Sequence, residues 1–303
     1  MDRRLLRYYN EELRHLRTTA GDFAQKFPKI AGRLSLDEFA CGDPYVERLL
    51  EGFAFLAARV QLKLDAEFPQ FTQAILETVY PHYLSPTPSM AVVEFAFDMA
   101  KSGISTGFEI KRGTILRSVI GTDERTACEY RTGHPVMLWP VQITQADYIA
   151  RDLRRLKPPP SASGARAAIR IRLETPADMT FSSLDLDSLT FFIRGAEAFP
   201  MTVYEQIFAH GNAVLVQPVE SPFAWQHVLP SANIAPVGFL DDDALLPVVA
   251  RSFRGYRLLQ EYFAFPQRFL FFRITGLRHC LKQCKDPLID LVILLDQEDL
   301  TLE

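Results

Sequence analysis

The chain has 303 residues, of which 48% are hydrophobic and 23% are charged. This mixture is typical of a globular protein and excludes a disordered or fibrous chain. The length exceeds what one hydrophobic core usually organises, so two or three domains are expected. A net charge of -4, from 33 basic and 37 acidic residues, provides no overall attraction to polyanions and argues against nucleic-acid binding.

The cysteines and the apolar segments indicate a cytoplasmic location and no direct membrane insertion. The N-terminal residues are charged throughout, which is unlike a secretory signal. The most apolar stretch, Leu288–Leu295, contains Asp290 and is far shorter than the ~20 residues that a bilayer requires. The four cysteines follow no disulfide-framework spacing, so reduced thiols are expected at Cys41, Cys128, Cys280 and Cys284.

The first eighty residues show helical periodicity. An amphipathic helix is predicted near the N-terminus, because apolar residues recur at steps of four and three along one stripe. A second, short helix is predicted at Asp22–Phe27, since Pro28 cannot continue the hydrogen-bond ladder. The apolar stripe of the first helix requires a packing partner and consists of Leu5, Tyr9, Leu13 and Leu16.

The third predicted helix has the clearest signals. Asp43 can cap its N-terminus, Pro44 suits the first helical position, and the next proline is Pro69, which gives a length of about 37 Å. One stripe follows the alternating three-four spacing of helices that pack lengthwise. This stripe consists of Val46, Leu49, Phe53, Leu56 and Val60. A second apolar surface lies beside it.

A helix that is apolar on more than one side must be covered on more than one side. The surplus suggests a multi-helix bundle completed by another chain. The sequence pattern fits equally well with a helix at the centre of an intramolecular domain, and it leaves both interpretations open. A fourth helix, Phe71–Tyr80, is expected to stop at Pro81, and an extended connector follows as far as Pro88.

From Met90 onward the period changes to two, which predicts β-strands with one buried face. Val93, Phe95 and Phe97 alternate with other residues in the first such segment, and Ile169, Ile171 and Leu173 do so in a later one. Most strand candidates have no helix between them, which favours an antiparallel sandwich. The further candidates are Ile110–Val119, Cys128–Arg131, Val136–Tyr148, Leu189–Arg194, Ala213–Val216, Phe269–Ile274 and Leu288–Leu295.

The predicted fold class is therefore α+β. An N-terminal helical bundle region, residues 1–88, precedes an antiparallel β-sandwich-like domain at 89–232 and a mixed α+β segment at 233–303. Inserted helices are expected at Met201–His210 and Phe253–Phe263.

A search for catalytic and metal-binding patterns favours a protein that is not an enzyme and holds no cofactor. No phosphate loop, nucleophile elbow or zincin motif is present. His279, Cys280 and Cys284 resemble half of a zinc site, but zinc normally requires a second ligand pair at recognisable spacing. Glu47 and Glu51 share a helical face, where a solvated stripe is the simpler interpretation. We therefore expect no catalytic, cofactor-binding or metal-binding residues.

Several segments resemble the TssF family, also called ImpG or VasA, of type VI secretion system baseplate subunits. Family members continue well past the point where this chain stops, so we expect an N-terminal half. The matching segments follow the family's order and are RYYNEELRHLRTTAGDFAQKFPKIAGRL (Arg7–Leu34), DPYVERLLEGFAFLAARVQLKLDAEFPQFTQAILETVYPHYLSPTPSM (Asp43–Met90), KRGT (Lys111–Thr114), CEYRT (Cys128–Thr132), VMLWP (Val136–Pro140) and FRGYRLLQEYFAFPQRFLFF (Phe253–Phe272).

The resemblance implies a structural role in the baseplate wedge. TssF proteins assemble with TssG, TssK and a second TssF copy around a spike hub, and the resulting ring docks on the cytoplasmic side of the inner-membrane complex and supports sheath assembly. The two stripes defined above, Leu5 to Leu16 and Val46 to Val60, are the predicted interface. The rival interpretation is a β-sandwich carbohydrate-binding module without catalysis, in which Trp139, Tyr148 and Trp225 would be stacking platforms.

Overall fold

A computed structural model of the chain describes residues 2–34, 43–96, 105–120, 126–150, 153–156, 160, 164–196, 198–250 and 252–302. The chain divides into two compact units, Met1–Pro86 and Thr87–Glu303. The first is helical and the second is built mainly from antiparallel strands, which confirms the α+β prediction. Among the described residues, no helix combines the length and the hydropathy needed to cross a bilayer.

The helical unit consists of α1 (Arg3–Lys26), α2 (Pro28–Arg33) and α3 (Pro44–Val79). Asp2 caps α1 by accepting the N–H of Arg4 at 2.9 Å. The predicted cap of α3 is confirmed, since Asp43 accepts the N–H of Tyr45 at 2.8 Å. These contacts satisfy N–H groups that a first helical turn leaves without a backbone partner.

Two predicted helix breaks are wrong. The segment 22–26 is the last part of α1, because nothing before Pro28 interrupts the helix. Pro69 lies inside α3, which at 36 residues is about 54 Å long. A proline leaves the carbonyl four residues earlier without its helical donor. Asp65 and Pro69 are both exposed, so water can satisfy that carbonyl and the helix continues to Val79.

The second unit contains two main antiparallel sheets and two small ladders. The five-stranded sheet has the order β5-β6-β12-β8-β9, the three-stranded sheet has the order β10-β11-β7, and the ladders pair β1 with β4 and β2 with β3. The strands are β1 (Phe108–Ile110), β2 (Ile115–Arg117), β3 (Glu129–Arg131), β4 (Val136–Leu138), β5 (Gln142–Ile149), β6 (Ala167–Glu174), β7 (Leu189–Phe192), β8 (Gly211–Gln217), β9 (His227–Pro230), β10 (Ile234–Val237), β11 (Phe271–Ile274) and β12 (Leu288–Leu295).

The two main sheets face each other across one hydrophobic core, as in a sandwich. Ile171 and Leu291 of the larger sheet belong to the same buried cluster as Phe191 and Phe272 of the smaller one. The rings of Phe191 and Phe272 stack with their centroids 5.2 Å apart. β12 is central and is covered on both faces, since Val292 and Leu294 pack in a second cluster on its other side.

Three further α-helices among the described residues lie in this second unit. They are α4 (Phe199–Ala209), α5 (Arg254–Ala264) and α6 (Leu277–Leu281). The first two correspond to the inserted helices expected from the sequence, with bounds shifted by one or two residues.

Several strand predictions differ from the structure. Residues 90–96 form no strand, and residues 97–104, which include Phe97, lie outside the described residues. Cys41 also lies outside the described residues. The expected strand at Ile110–Val119 is divided between β1 and β2, which pair with β4 and β3 respectively. β11 and β12, which follow residue 232, pair with strands that precede it: β11 with β7, and β12 with β6 and β8.

The charge that interrupts the apolar stretch of β12 is neutralised within the sheet. Asp290 is 3% exposed, and its two carboxylate oxygens accept the Nε and Nη2 hydrogens of Arg172 on β6, at 2.8 and 3.0 Å. These hydrogen bonds raise the pKa of Arg172 above its usual value. A bidentate pair of this kind satisfies a charge that the sheet would otherwise bury at high cost.

We expect Asp290→Ala to lower the free energy of unfolding by about 2–4 kcal/mol, because it leaves a half-buried guanidinium without its acceptor. Asp178→Ala, at an exposed aspartate, is the matched control and should change stability by less than about 0.5 kcal/mol. Urea unfolding followed by circular dichroism measures both. Equal midpoints for the two variants would show that the pair does not stabilise the sheet.

Candidate assembly surface on the helical unit

Helices α1 and α3 pack antiparallel. The hydroxyl of Tyr8, near the start of α1, donates to Asp65 in the second half of α3. Arg17, nearer the end of α1, donates to Glu47 in the first turn of α3 at 3.1 Å. The Tyr8 contact also raises the pKa of its phenol, chiefly because the Asp65 carboxylate accepts the hydroxyl proton. The start of α1 therefore lies beside the second half of α3, and the later part of α1 lies beside the first turn of α3, so the two helices run in opposite directions.

One side of α3 is closed by α1. Ala54 and Ala58 lie on the same side of α3 as Glu47 and Asp65, and both alanines are fully buried. Small side chains let two helices approach closely. Viewed down the axis of α1, the predicted α1 stripe lies between the directions of Tyr8 and Arg17, which both contact α3. Its members are half-buried and are Leu5, Tyr9, Leu13 and Leu16.

A different side of α3 is exposed and apolar. Leu49 is 74% exposed and Phe53 is 60% exposed, and Leu56 and Val60 are similarly open. At 3.6 residues per turn, these side chains lie roughly 150° around the helix from the side that contacts α1. Of the predicted α3 stripe, only Val46 is half-buried. The nine predicted interface residues therefore divide into five that are half-buried and four that are exposed.

The exposed stripe is longer than the sequence analysis predicted. It keeps the same three- and four-residue steps past Pro69, the predicted end of the helix, so the periodicity alone could have revealed it. Taking about 200 Å² for a fully exposed large side chain, the stripe presents on the order of 1,000 Å², against roughly 300–600 Å² for the largest patch of a typical monomer. The α3 stripe comprises Tyr45, Leu49, Phe53, Leu56, Val60, Leu64, Phe68, Phe71 and Ile75.

The acidic residues of this region are engaged in ion pairs rather than converging on a site. Glu47 pairs with Arg17, and Glu51 pairs with Arg48 at 2.6 Å. The two carboxylates considered as a catalytic pair thus each have a cationic partner. Across the described ranges, no three His, Cys, Asp or Glu side chains are grouped so that they could hold a metal ion.

The half-site of His279, Cys280 and Cys284 is divided between the surface and the core. His279 is exposed, with its ring centroid 5.9 Å from that of His227. Both thiols are buried and donate weakly to carbonyls, Cys280 to Gly276 and Cys284 to Asp286. Burial raises the pKa of both thiols, that of Cys284 to about 11.

The three aromatic residues considered as sugar platforms pack against the sandwich core. Trp139, Trp225 and Tyr148 are each half-buried against the main cluster. The Tyr148 hydroxyl also accepts the N–H of Asp299 at 2.7 Å. Their faces therefore contribute to packing, and the structure offers no support for a shared stacking surface.

These features define a class: an α+β protein whose long exposed apolar helix is the kind of surface through which subunits associate. The family model described as "Type VI secretion system, TssF" matches residues 1–303, and the chain belongs to this family. It is 53% identical over 306 residues to the "Type VI secretion system component TssF1" of Pseudomonas aeruginosa. That match covers 100% of this chain and 49% of the relative, so the chain spans about half the length of the curated relative.

A solved structure shares the fold. One chain of the TssK-TssF-TssG baseplate subcomplex of the type VI secretion system, determined by cryo-electron microscopy, superposes with a TM-score of 0.59 at 25% sequence identity. The superposition covers 84% of this chain and 44% of that chain. The family and the fold expected from the sequence segments are thereby confirmed.

We expect Cys280 and Cys284 to resist alkylation by iodoacetamide at pH 8 in the folded chain, because buried thiols with a raised pKa supply little reactive thiolate. The exposed thiol of Cys128 should react under the same conditions and serves as the internal control. Peptide mass mapping, with and without urea, assigns each site. Rapid native labelling of Cys280 or Cys284 would contradict the structural role that burial gives them.

Proposed function

We propose that this chain is a structural subunit of the type VI secretion system baseplate wedge, assembling with TssG, TssK and a second TssF copy around the spike hub to support sheath assembly. Membership of the TssF family supports this role. The likeness to a chain of the TssK-TssF-TssG subcomplex supports the same set of partners. In this role the chain works in the cytoplasm, at the inner face of the cytoplasmic membrane once assembled, and catalyses no reaction.

The α3 stripe carries the mechanism. Its three- and four-residue steps are the spacing with which helices pack lengthwise, and α1 covers a different side of α3. Covering the stripe with a partner helix removes apolar surface from water at roughly 25 cal/mol per Å² before the costs of association are subtracted. Leu49, Phe53, Leu56 and Val60 would contact the partner directly.

The remaining predicted interface residues have a different part in this proposal. Half-buried between α1 and α3, they hold the exposed stripe in a fixed orientation, so that the ordering cost of binding a partner is smaller. This group consists of Leu5, Tyr9, Leu13, Leu16 and Val46.

Phe53→Glu tests the proposal. The substitution places a charge in the middle of the stripe, where a partner helix would have to bury it, so we expect TssG to be lost from complexes. The variant chain is co-expressed with TssG, TssK and wild-type TssF, purified through a tag, and measured by native mass spectrometry. Its own fold should be unchanged, since the native side chain is exposed.

Gln73→Glu is the matched control, because it adds the same charge to α3 at an exposed position off the stripe. It should leave the complex intact. Stoichiometric complexes from a Phe53→Glu chain whose circular dichroism is that of the wild type would reject α3 as the docking surface.

A further inference from the structure

Helix α5, in the β-rich unit, has its polar and apolar sides reversed. An amphipathic surface helix normally buries its apolar side. In α5 the buried residues are charged: Arg257 is 3% exposed and Glu261 is fully buried. Phe263 is 81% exposed and Phe253, at the N-terminal cap, is 70% exposed. This reversal is unrelated to the α3 stripe, which lies in the other unit.

The buried side of α5 is held by a network of charged hydrogen bonds. The Glu261 carboxylate accepts the N–H groups of Leu245 and Leu246 at 3.0 and 2.9 Å, and also accepts a hydrogen from Arg257 at 3.0 Å. Arg257 reaches Asp241 at 3.6 Å. Removing either partner would leave an uncompensated buried charge, so the network fixes which side of α5 faces solvent.

The outer side forms an aromatic patch. Phe253 and Tyr256 meet edge to face with centroids 5.4 Å apart, and Tyr262 and Phe263 do the same at 5.5 Å. At about 200 Å² per fully exposed large side chain the patch presents on the order of 800 Å², which matches the ~800 Å² that each partner buries in a standard interface. We call it the α5 patch, and it comprises Phe239, Leu240, Phe253, Tyr256, Leu259, Tyr262 and Phe263.

The charges beside the α5 patch are compatible with a second copy of the same surface. Arg254 is paired with Asp241 at 3.1 Å, at the N-terminal end of the helix. In an antiparallel arrangement about a two-fold axis, this arginine would lie near the last turn of the partner's helix, where unpaired carbonyls favour a cation. The centre of the helix brings no like charges together, because Tyr256, Leu259 and Phe263 are uncharged.

We propose that the α5 patch is a self-contact, in which α5 packs antiparallel on α5 of a second copy of this chain. Closed two-fold pairs are the commonest form of association between identical chains. The exposed area matches one side of such a pair, and the aromatic composition is that of an interface centre. The contact goes beyond the assembly role proposed above, because it uses a different unit and does not require the α3 stripe.

Sedimentation equilibrium of the 303-residue chain tests the contact. All variants carry Phe53→Glu, which disables the α3 stripe, so that only association through the second unit is measured. This parent chain should show a concentration-dependent monomer–dimer equilibrium. Adding Leu259→Glu should weaken the dimer by about 30-fold or more, because it buries a charge at the centre of the contact.

Gln267→Glu is the matched control. It adds the same charge at an exposed position just beyond α5 and should leave the dimer unchanged. A parent chain that stays monomeric up to about 100 μM, or a folded Leu259→Glu chain that dimerises like the parent, would overturn the proposal. Recovery of TssG or TssK that depends on Leu259 while the chain remains monomeric would also overturn it, since the patch would then belong to a different partner.

Cysteine cross-linking tests the antiparallel geometry in the same parent chain, with Cys41→Ser and Cys128→Ser added. Phe253 and Phe263 lie near opposite ends of α5. A mixture of Phe253→Cys and Phe263→Cys chains should therefore give a heterodimeric disulfide under mild oxidation, while either chain alone should give little. Self-cross-linking of each variant alone, with no heterodimeric disulfide in the mixture, would indicate parallel helices and reject the antiparallel model.

Discussion

The helical unit depends on one packing constraint: α3 has two apolar sides and α1 can cover only one of them. Ala54 and Ala58 allow α1 to approach closely, and the polar contacts at Asp65 and Glu47 hold α1 on that side. Because a 24-residue helix lies along a 36-residue one, α1 also cannot reach the whole length of α3. The exposed stripe is therefore a geometric consequence of a single partner helix.

The sandwich core of the β-rich unit is closed within that unit. Its central strand β12 is covered on both faces, and the buried carboxylate of Asp290 is neutralised by Arg172 within the same sheet. The histidine and cysteine residues that resembled a metal half-site are separated by burial. Chemistry-bearing residues in this unit are thus used for packing and charge neutralisation, which agrees with a structural subunit.

The two units reach an exposed apolar surface by different physical routes. In α3 the surface is exposed because, among the described residues, α1 packs along a different side of the helix. In α5 it is exposed because buried charges take the inner side: Glu261 needs the backbone N–H groups at Leu245 and Leu246, so the helix must turn its aromatic side outward. An ion-pair network therefore determines the orientation of an apolar surface, which composition alone would place inside.

The sequence determined the elements whose signals are local. The cap at Asp43, the apolar periodicities of α1 and α3, and the alternation in β6 depend on neighbouring residues, so they could be predicted with no knowledge of the fold. The family also followed from long matching segments.

Long-range contacts decided the rest. Whether Pro69 ends a helix depends on whether water can reach the Asp65 carbonyl, and whether β1 pairs with β2 or with β4 depends on a strand about thirty residues away. The division of the nine interface residues into half-buried and exposed groups depends on where α1 lies. The reversal of α5 depends on a loop that precedes it. Apart from Pro69, where solvent access decides, the deciding partner is distant along the chain. Periodicity could therefore show that a surface is apolar, but only the tertiary structure could show that it is left uncovered.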